Sequence, residues 1–330
     1  MSDDLTVLRA DFPAYRIWRE ETPGRIRYVA RSRHPGLNPF SVVTPDLGEL
    51  RGALHSAPQT EAEEPPEFSP VQPNIARMYS YWLNGKDHYG SDRAAAEMVL
   101  EKFPEVAEVA RANRAFLARA VRYVVSHGVS QFIDAGSGLP ASPNVHETAR
   151  AVNTGSRVVY VDRDLVVLAH ARALLAPDDQ VGVVAGDIRD PRSFLTGPAL
   201  TEVIDATAPV CVLLGSVLHF LARAEADAAV AAFREWMAPG SYLVISAGTS
   251  TGVDPELIQR LRDAYAGTAP VTGRTASEIE AWFEGFTLVP PGLVDVHAWR
   301  PNLVAQPAPS RARILAGAGR KNATAPTRPA

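Results

Sequence analysis

The chain is poor in the residues from which covalent or metal-held scaffolds are built. Its 330 residues include one cysteine, Cys211. A single thiol makes no internal disulfide and no cysteine-based zinc site, which excludes a stapled secreted scaffold and a zinc-finger module. Cys211 lies within Pro209-Val210-Cys211-Val212-Leu213-Leu214, a run that reads as a buried strand, so its expected role is packing. Long hydrophobic runs are missing too, for no stretch approaches the ~20 residues of a membrane span. The start, Met1-Ser2-Asp3-Asp4, has neither the basic region nor the apolar core of a signal peptide. A cytoplasmic protein without a membrane partner is expected, and the sequon Asn322-Ala323-Thr324 would then be idle. An excess of one charge is also lacking: 33 Lys and Arg against 37 Asp and Glu leave a formal charge of −4. Such a balance gives no global pull on nucleic acid, which is therefore not an expected partner.

What the chain does have is apolar residues, 46% of the total, enough for one sizeable α/β core with a smaller appendage. Residues 1–55 read as a small β-rich module, with strands at Tyr15–Trp18, Arg25–Arg31 and Phe40–Thr44 before a helical Asp46–Leu54. Its Arg25, Arg27, Arg31 and Arg33 occupy odd positions and suit the solvated face of a strand. Residues 56–73, with Glu61, Glu63, Glu64 and Glu67 among prolines, have linker composition. Residues 301–330 carry Arg311, Arg313, Arg320, Lys321 and Arg328 and no acid, which reads as a disordered basic tail.

Between linker and tail, over residues 74–300, strand and helix alternate. Short apolar strands at Gln131–Ile133, Val158–Val161, Val181–Ala185, Val210–Leu214 and Tyr242–Ser246 alternate with helical stretches such as Leu165–Leu175 and Ala224–Met237. Strands so short and so apolar imply a parallel sheet buried on both faces. Phe286–Val289 and Leu293–Trp299 are joined by Pro290-Pro291-Gly292 alone, a link too short for a parallel crossover, so an antiparallel pairing of the two is expected.

The chemical signal begins at Phe132-Ile133-Asp134-Ala135-Gly136-Ser137-Gly138, an apolar strand that ends in an acid and a glycine loop. Glycines there let the backbone approach a ligand, at the strand edge where open α/β sheets bind nucleotides. Gly136, Gly138 and Ala141 also satisfy the dinucleotide template, so an NAD-dependent oxidoreductase is an alternative reading. Against it, Pro140 and Pro143 push the next helix start out to Asn144, away from where a pyrophosphate would need it. Two further acids end the next two strands. Asp162 stands where a carboxylate accepts ribose hydroxyls, and Asp187, followed by Ile188, stands where one accepts an adenine amine beside an apolar contact to the ring.

These residues lie in longer stretches that resemble the bacterial S-adenosylmethionine (SAM)-dependent methyltransferases first catalogued as a domain of unknown function. The stretches are Ala76-Arg77-Met78-Tyr79-Ser80-Tyr81-Trp82-Leu83-Asn84-Gly85-Lys86-Asp87, Ala110-Arg111-Ala112-Asn113-Arg114-Ala115-Phe116-Leu117, the Asp134–Pro140 loop with Asn144-Val145-His146-Glu147, Val159-Tyr160-Val161-Asp162, and Val217-Leu218-His219-Phe220. The resemblance covers about residues 70–300 and implies a class I, seven-stranded, mostly parallel sheet with helices on both faces. It implies S-adenosyl-L-methionine as cofactor, bound across Asp134, Gly136, Ser137, Gly138, Asp162, Arg163, Asp187 and Ile188, under a helical cap that includes Tyr79. The turn Asn84-Gly85-Lys86 should close over the cofactor, although Asn84 replaces the glycine common there. A SAM carboxylate wants a cation, and Lys86, Arg77 and Arg114 are the candidates.

Methyl transfer asks the protein to align the nucleophile, exclude water and, for a weakly acidic acceptor, remove a proton. His219, after the fourth strand, is the candidate base, with burial among Leu218, Phe220 and Leu221 as the plainer reading. Tyr79, Tyr81, His88 and Tyr89 are candidates for the acceptor wall, and packing is the plainer role for aromatics beside a cap. His146 and Glu147 share a helix turn, but no second ligand cluster accompanies them, so no metal is expected. The expected partner is a small-molecule acceptor methylated on oxygen or nitrogen; a SAM-binding regulator without turnover is the other reading.

Overall fold

The computed structural model describes residues 2–13, 15–22, 25–32, 41–55, 72–175, 178–301 and 313–323. The chain divides into two compact units, Met1–Phe68 and Ser69–Ala330. In the first, helix α1 (Ser2–Asp11) precedes strands β1 (Tyr15–Thr22), β2 (Arg25–Ser32) and β3 (Ser41–Thr44) and helix α2 (Leu47–His55). The strands form an antiparallel sheet in the order β1-β2-β3. Its core joins Leu8 of α1, Phe12 just after it, Tyr15, Ile17 and Ala30 of the sheet, and Leu50 and Leu54 of α2. The unit is thus as helical as it is β, because α1, a helix that the sequence pattern does not predict, also supplies apolar residues to the core. Arg27 is half-buried on β2, whereas Arg33 and the side chains of Arg25 and Arg31 lie outside the described residues. So does the expected linker, apart from Gln72 and Pro73.

The second unit starts with three helices, α3 (Ile75–Trp82), α4 (Gly90–Lys102) and α5 (Val106–Ser126). Then strands alternate with helices: β4 (Gln131–Ala135), α6 (Val145–Arg150), β5 (Arg157–Asp162), α7 (Leu165–Leu175), β6 (Val181–Ala185), α8 (Arg192–Leu195) and α9 (Pro198–Thr201). Next come β7 (Cys211–Gly215), a single 3₁₀ turn at Leu218–Phe220, α10 (Arg223–Trp236), β8 (Tyr242–Thr249), α11 (Pro255–Tyr265) and α12 (Ala276–Ala281). The chain closes with β9 (Phe286–Leu288), β10 (Val294–Asp295) and β11 (Arg313–Lys321).

The sheet order is β10-β11-β8-β7-β4-β5-β6, with β9 also on β11. Pairing is parallel from β8 to β6 and antiparallel between β11 and β8. Successive residues of each central strand fall into different cores. Ile133, Val159, Val161, Val212, Leu214, Leu243 and Ile245 pack with α8, α9, α10 and α12. Phe132, Val158, Tyr160, Cys211, Leu213, Tyr242 and Val244 pack with α5 and α6. This period of two, apolar on both faces, is what a helix-covered parallel sheet requires.

Two expectations are corrected at the sheet's antiparallel edge. Residues 313–321 of the presumed disordered tail are strand β11, paired with β8 from Arg313↔Thr249 to Arg320↔Tyr242. And β9 and β10 do not pair with each other: both pair with β11, at Leu288↔Gly319 and Val294↔Ala316. They run the same way along one edge of β11 as a single strand broken at Pro290-Pro291-Gly292, so together they fill one of seven strand positions.

Candidate functional site

The C-terminal ends of β4, β5, β6 and β7 open into a cavity of about 450 Å³. Asp134, Asp162 and Asp187 all line it, together with Gly136, Ser137, Gly138, Arg163 and Ile188. Three acids spaced by some 25 residues in sequence are brought together because β4, β5 and β6 are adjacent and parallel.

Each acid has a different environment. Asp134 continues the strand face that carries Phe132, the face covered by α5, so it is buried. Its carboxylate accepts no hydrogen bond among the described residues. Burial pushes its pKa up to about 6, against the pull of Arg114 and with the help of Asp162. Asp162 is also raised by burial, but it accepts the Gly138 N–H at 2.9 Å and the Asp164 N–H at 2.9 Å, which favour its charge. The acid therefore shapes the glycine loop as well as facing the cavity. Asp187 suffers burial too, yet Arg189 and Arg163 outweigh it and hold the carboxyl below its usual range. Its Oδ1 accepts the Arg189 N–H at 2.9 Å, and Arg163 Nη1 lies 3.3 Å from Oδ2.

The glycine loop is a cradle that a side chain would fill. Gly136 has φ +73°, and a Cβ there would sit 2.7 Å from Val217 Cγ1. Both facts demand glycine. A buried carboxylate without a partner and a loop bare of side chains beside it fit a ligand that brings its own cation and needs close backbone approach.

Helix α3 forms the opposite wall with Ile75, Ala76, Tyr79, Ser80 and Leu83. It is held by charge buried behind it. Arg77, 3% exposed, pairs with Asp92 at 3.1 Å, and Asp92 also accepts the N–H groups of Asn74 and Tyr89. Asn74 caps α3 through Ala76 N–H and reaches Asp164 at 2.7 Å, tying the helix start to the loop after β5. The helix ends in a Schellman pattern, with Gly85 N–H on Ser80 O and Asn84 N–H on Tyr81 O. Asn84 takes φ +61°, the left-handed conformation that glycine would adopt and that asparagine tolerates.

The cap turn itself, Asn84-Gly85-Lys86, is not among the lining residues, and Lys86 is exposed. Of the three cations considered for a SAM carboxylate, Arg77 is spent on Asp92 and only Arg114 lines the cavity. Arg114 also donates to Ala141 O at 2.6 Å and Pro143 O at 3.0 Å, bracing the loop after β4.

His219 is likewise not among the lining residues. Its Nδ1 accepts the Gly248 N–H at 3.3 Å, and burial pushes its pKa down to about 4. Its neighbour Phe220 takes the place on the wall. Of the four aromatic and histidine candidates for that wall only Tyr79 lines it; Tyr81 instead bonds Glu97 and packs on His88. Asn113, Ser216, Thr268, Ala269 and Pro270 also line the cavity, and the sequence reading assigned them no role. Among the described residues no group of three His, Cys, Asp or Glu side chains is placed to hold a metal ion, and no helix is long and apolar enough to cross a membrane.

Comparison with known proteins matches this architecture. Residues 61–322 fit the family model described as S-adenosyl methyltransferase. A candidate methyltransferase of Thermobifida fusca YX is 41% identical, covering 77% of this chain and 96% of that one with a TM-score of 0.73. A DUF574 family protein of Streptomyces avermitilis MA-4680 is 36% identical over 76% of this chain and 98% of its own, with a TM-score of 0.71. No curated protein matches the chain. The match begins before α3 and continues through β11, so it takes in the cap, the three strand-end acids and the strand that composition had assigned to a tail. This chain belongs to the S-adenosyl methyltransferase family, and it is a SAM-dependent enzyme of the class I α/β fold.

Proposed function

We propose that the cavity holds SAM along the ends of β4, β5 and β6 and that the enzyme methylates a small-molecule acceptor on oxygen or nitrogen. The observation that carries the placement is the convergence of Asp134, Asp162 and Asp187 on one cavity. Asp162 is assigned to the ribose hydroxyls, Asp187 with Ile188 to adenine, and Asp134 with Arg114 to the charged amino-acid end. When bound, the cofactor supplies an activated methyl group on a sulfonium, ready for in-line displacement.

The chain's own residues then bind, orient and exclude water. Asp134 is the group best suited to a cationic amine, since its buried charge lacks a partner that such an amine would provide. Tyr79, Leu83, Phe220 and Pro270 offer an apolar wall to the acceptor, which keeps water from the displacement. Burial lowers the His219 pKa to about 4, which leaves it too weak a base to draw a proton from an acceptor, and it does not line the cavity, so no proton is routed through it. An acceptor nitrogen or oxygen that presents a lone pair without enzymatic deprotonation fits such a wall.

The test pairs calorimetric titration of SAM, S-adenosylhomocysteine and NAD with a turnover screen of small hydroxyl and amine acceptors. Binding of the first two but not NAD is expected, with methyl transfer to at least one acceptor class. Transfer confined to protein or nucleic-acid acceptors would overturn the small-molecule assignment.

A further inference from the structure

Helix α5 buries an apolar stripe that includes Val109, Ala110, Phe116, Leu117 and Ala120. One polar residue interrupts it. Asn113, 1% exposed, also lines the cavity. An amide so placed is costly unless both its ends are bonded, and both are. Asn113 Nδ2 donates to Tyr79 Oη at 3.0 Å, and Tyr79 Oη donates onward to Ala110 O at 2.9 Å. At the other end Asn113 Oδ1 accepts from Ser246 Oγ at 2.6 Å, and Ser246 Oγ accepts the Ser216 N–H at 3.0 Å.

The direction of every bond follows from the ends. A carbonyl only accepts, so Tyr79 must give its proton to Ala110 and can receive only from an N–H. That fixes the amide with Nδ2 towards Tyr79, and Oδ1 must then find a donor, which is Ser246. The chain of bonds joins two walls of the cavity: Tyr79 on the cap helix α3 and Ser216 after β7. Ser216 sits at φ +57°, a strained conformation for serine, and Ser246 holds it there by accepting its N–H at both O and Oγ. The next residue, Val217, presses on the Gly136 loop.

We propose that Asn113 is a positioning residue for methyl transfer, whose amide locks the cap helix through Tyr79 to the strained Ser216 turn through Ser246. Ligand held against the Gly136 loop and Val217 is thereby coupled to the pose of Tyr79 over the acceptor. The proposal rests on the placement of SAM in this cavity. Tyr79 and Ser246 grip opposite ends of one amide, so once either grip is lost the amide is free to turn and losing the second costs little.

The experiment is a double-mutant cycle on the full chain, Tyr79→Phe against Ser246→Ala, read as S-adenosylhomocysteine affinity by calorimetry. Both substitutions remove only a hydroxyl, and circular dichroism with thermal melting checks that each variant is folded before its affinity is read. Each is expected to weaken binding about three- to tenfold, and the double variant to fall short of the product by at least about threefold. Asn113→Leu should match the double variant. In Asn113→Leu, S-adenosylhomocysteine should also no longer slow amide exchange in residues 75–83, while still slowing it in residues 136–139, a split that a purely structural role would not produce. Penalties that multiply, or cap protection unchanged in Asn113→Leu, would overturn the proposal. Asp162→Ala, titrated alongside, separates the two failures: unchanged affinity there overturns the cofactor placement and this proposal with it, whereas weakened binding with multiplying penalties overturns the proposal alone.

Discussion

At the strand-end side of the cavity the charges face inward, and at the cap side they face away. Asp134, Asp162 and Asp187 line the space itself, whereas the Arg77–Asp92 pair is buried behind α3 and leaves Tyr79, Ser80 and Leu83 on the wall. The first arrangement suits a ligand of fixed charge pattern, as proposed above for SAM. The second presents a neutral surface whose shape is set by a rigid anchor, which suits the part of the site that decides the acceptor. A substitution at the first side should therefore cost affinity, and one behind the second should cost fold.

The largest effect is expected behind the cap. Asp92→Ala takes the nearest counter-charge from the buried Arg77, which keeps Gln72 O at 2.8 Å and Asp164 at 3.9 Å, and removes the acceptor of two N–H groups, so stability should fall by about 3–5 kcal/mol in urea unfolding. A loss under about 1 kcal/mol would mean that the cap is held by its apolar contacts and that the contrast fails.

Next comes the cost of an inward charge. Because burial raises Asp134 to about 6, the folded protein keeps a proton that the unfolded chain releases near pH 4. Stability is thus lost as pH rises from about 4 to about 6, by about 3 kcal/mol in full. Asp134→Asn should abolish that loss, so the ligand-free variant melts higher than the wild type at pH 7.5 while binding S-adenosylhomocysteine more weakly. Equal melting of the two proteins at pH 7.5 and pH 4.5 would break this point.

For Asp162→Ala, removal of charged hydrogen bonds worth about 1.5–3 kcal/mol should weaken SAM at least about tenfold. Calorimetry with circular dichroism as a control for fold decides it, and unchanged binding by a folded variant would withdraw Asp162 from the ribose. The smallest effect belongs to the cap turn. Asn84→Gly should alter stability by a few tenths of a kcal/mol, and Asn84→Ala, forced to φ +61°, should lower it by about 1 kcal/mol. If alanine is as stable as glycine there, the left-handed turn is not what ends α3.

The inward charges were legible in the sequence and the outward ones were not, for a physical reason. An acid that ends an apolar strand is a local signal, and parallel neighbours place such acids side by side without further information. Arg77 looked like a ligand contact because nothing nearby in sequence announces its partner Asp92 fifteen residues on. Asn113 and Ser246 escaped notice because one polar residue in an apolar run is silent until the fold brings its partner close. Strand β11 was hidden differently. Its run Ala316-Gly317-Ala318-Gly319 has the small residues of a loop, but they are small because Phe283 crowds both glycines, at 3.3 Å from a Cβ on Gly317 and 2.8 Å from one on Gly319. Packing demanded the glycines, and composition alone could not show it.

The broken strand formed by β9 and β10 has a consequence for how this protein behaves in a crowded solution. An edge strand offers a ladder of free N–H and C=O groups on which another chain can grow a sheet. Here the outermost strand is interrupted midway by Pro290 and Pro291, neither of which has an N–H to offer, and the Pro290 carbonyl is already taken by Arg300 Nε at 2.8 Å. A foreign strand arriving at this edge meets a gap where a continuous ladder would have been, so the interruption acts as a guard against edge-to-edge aggregation.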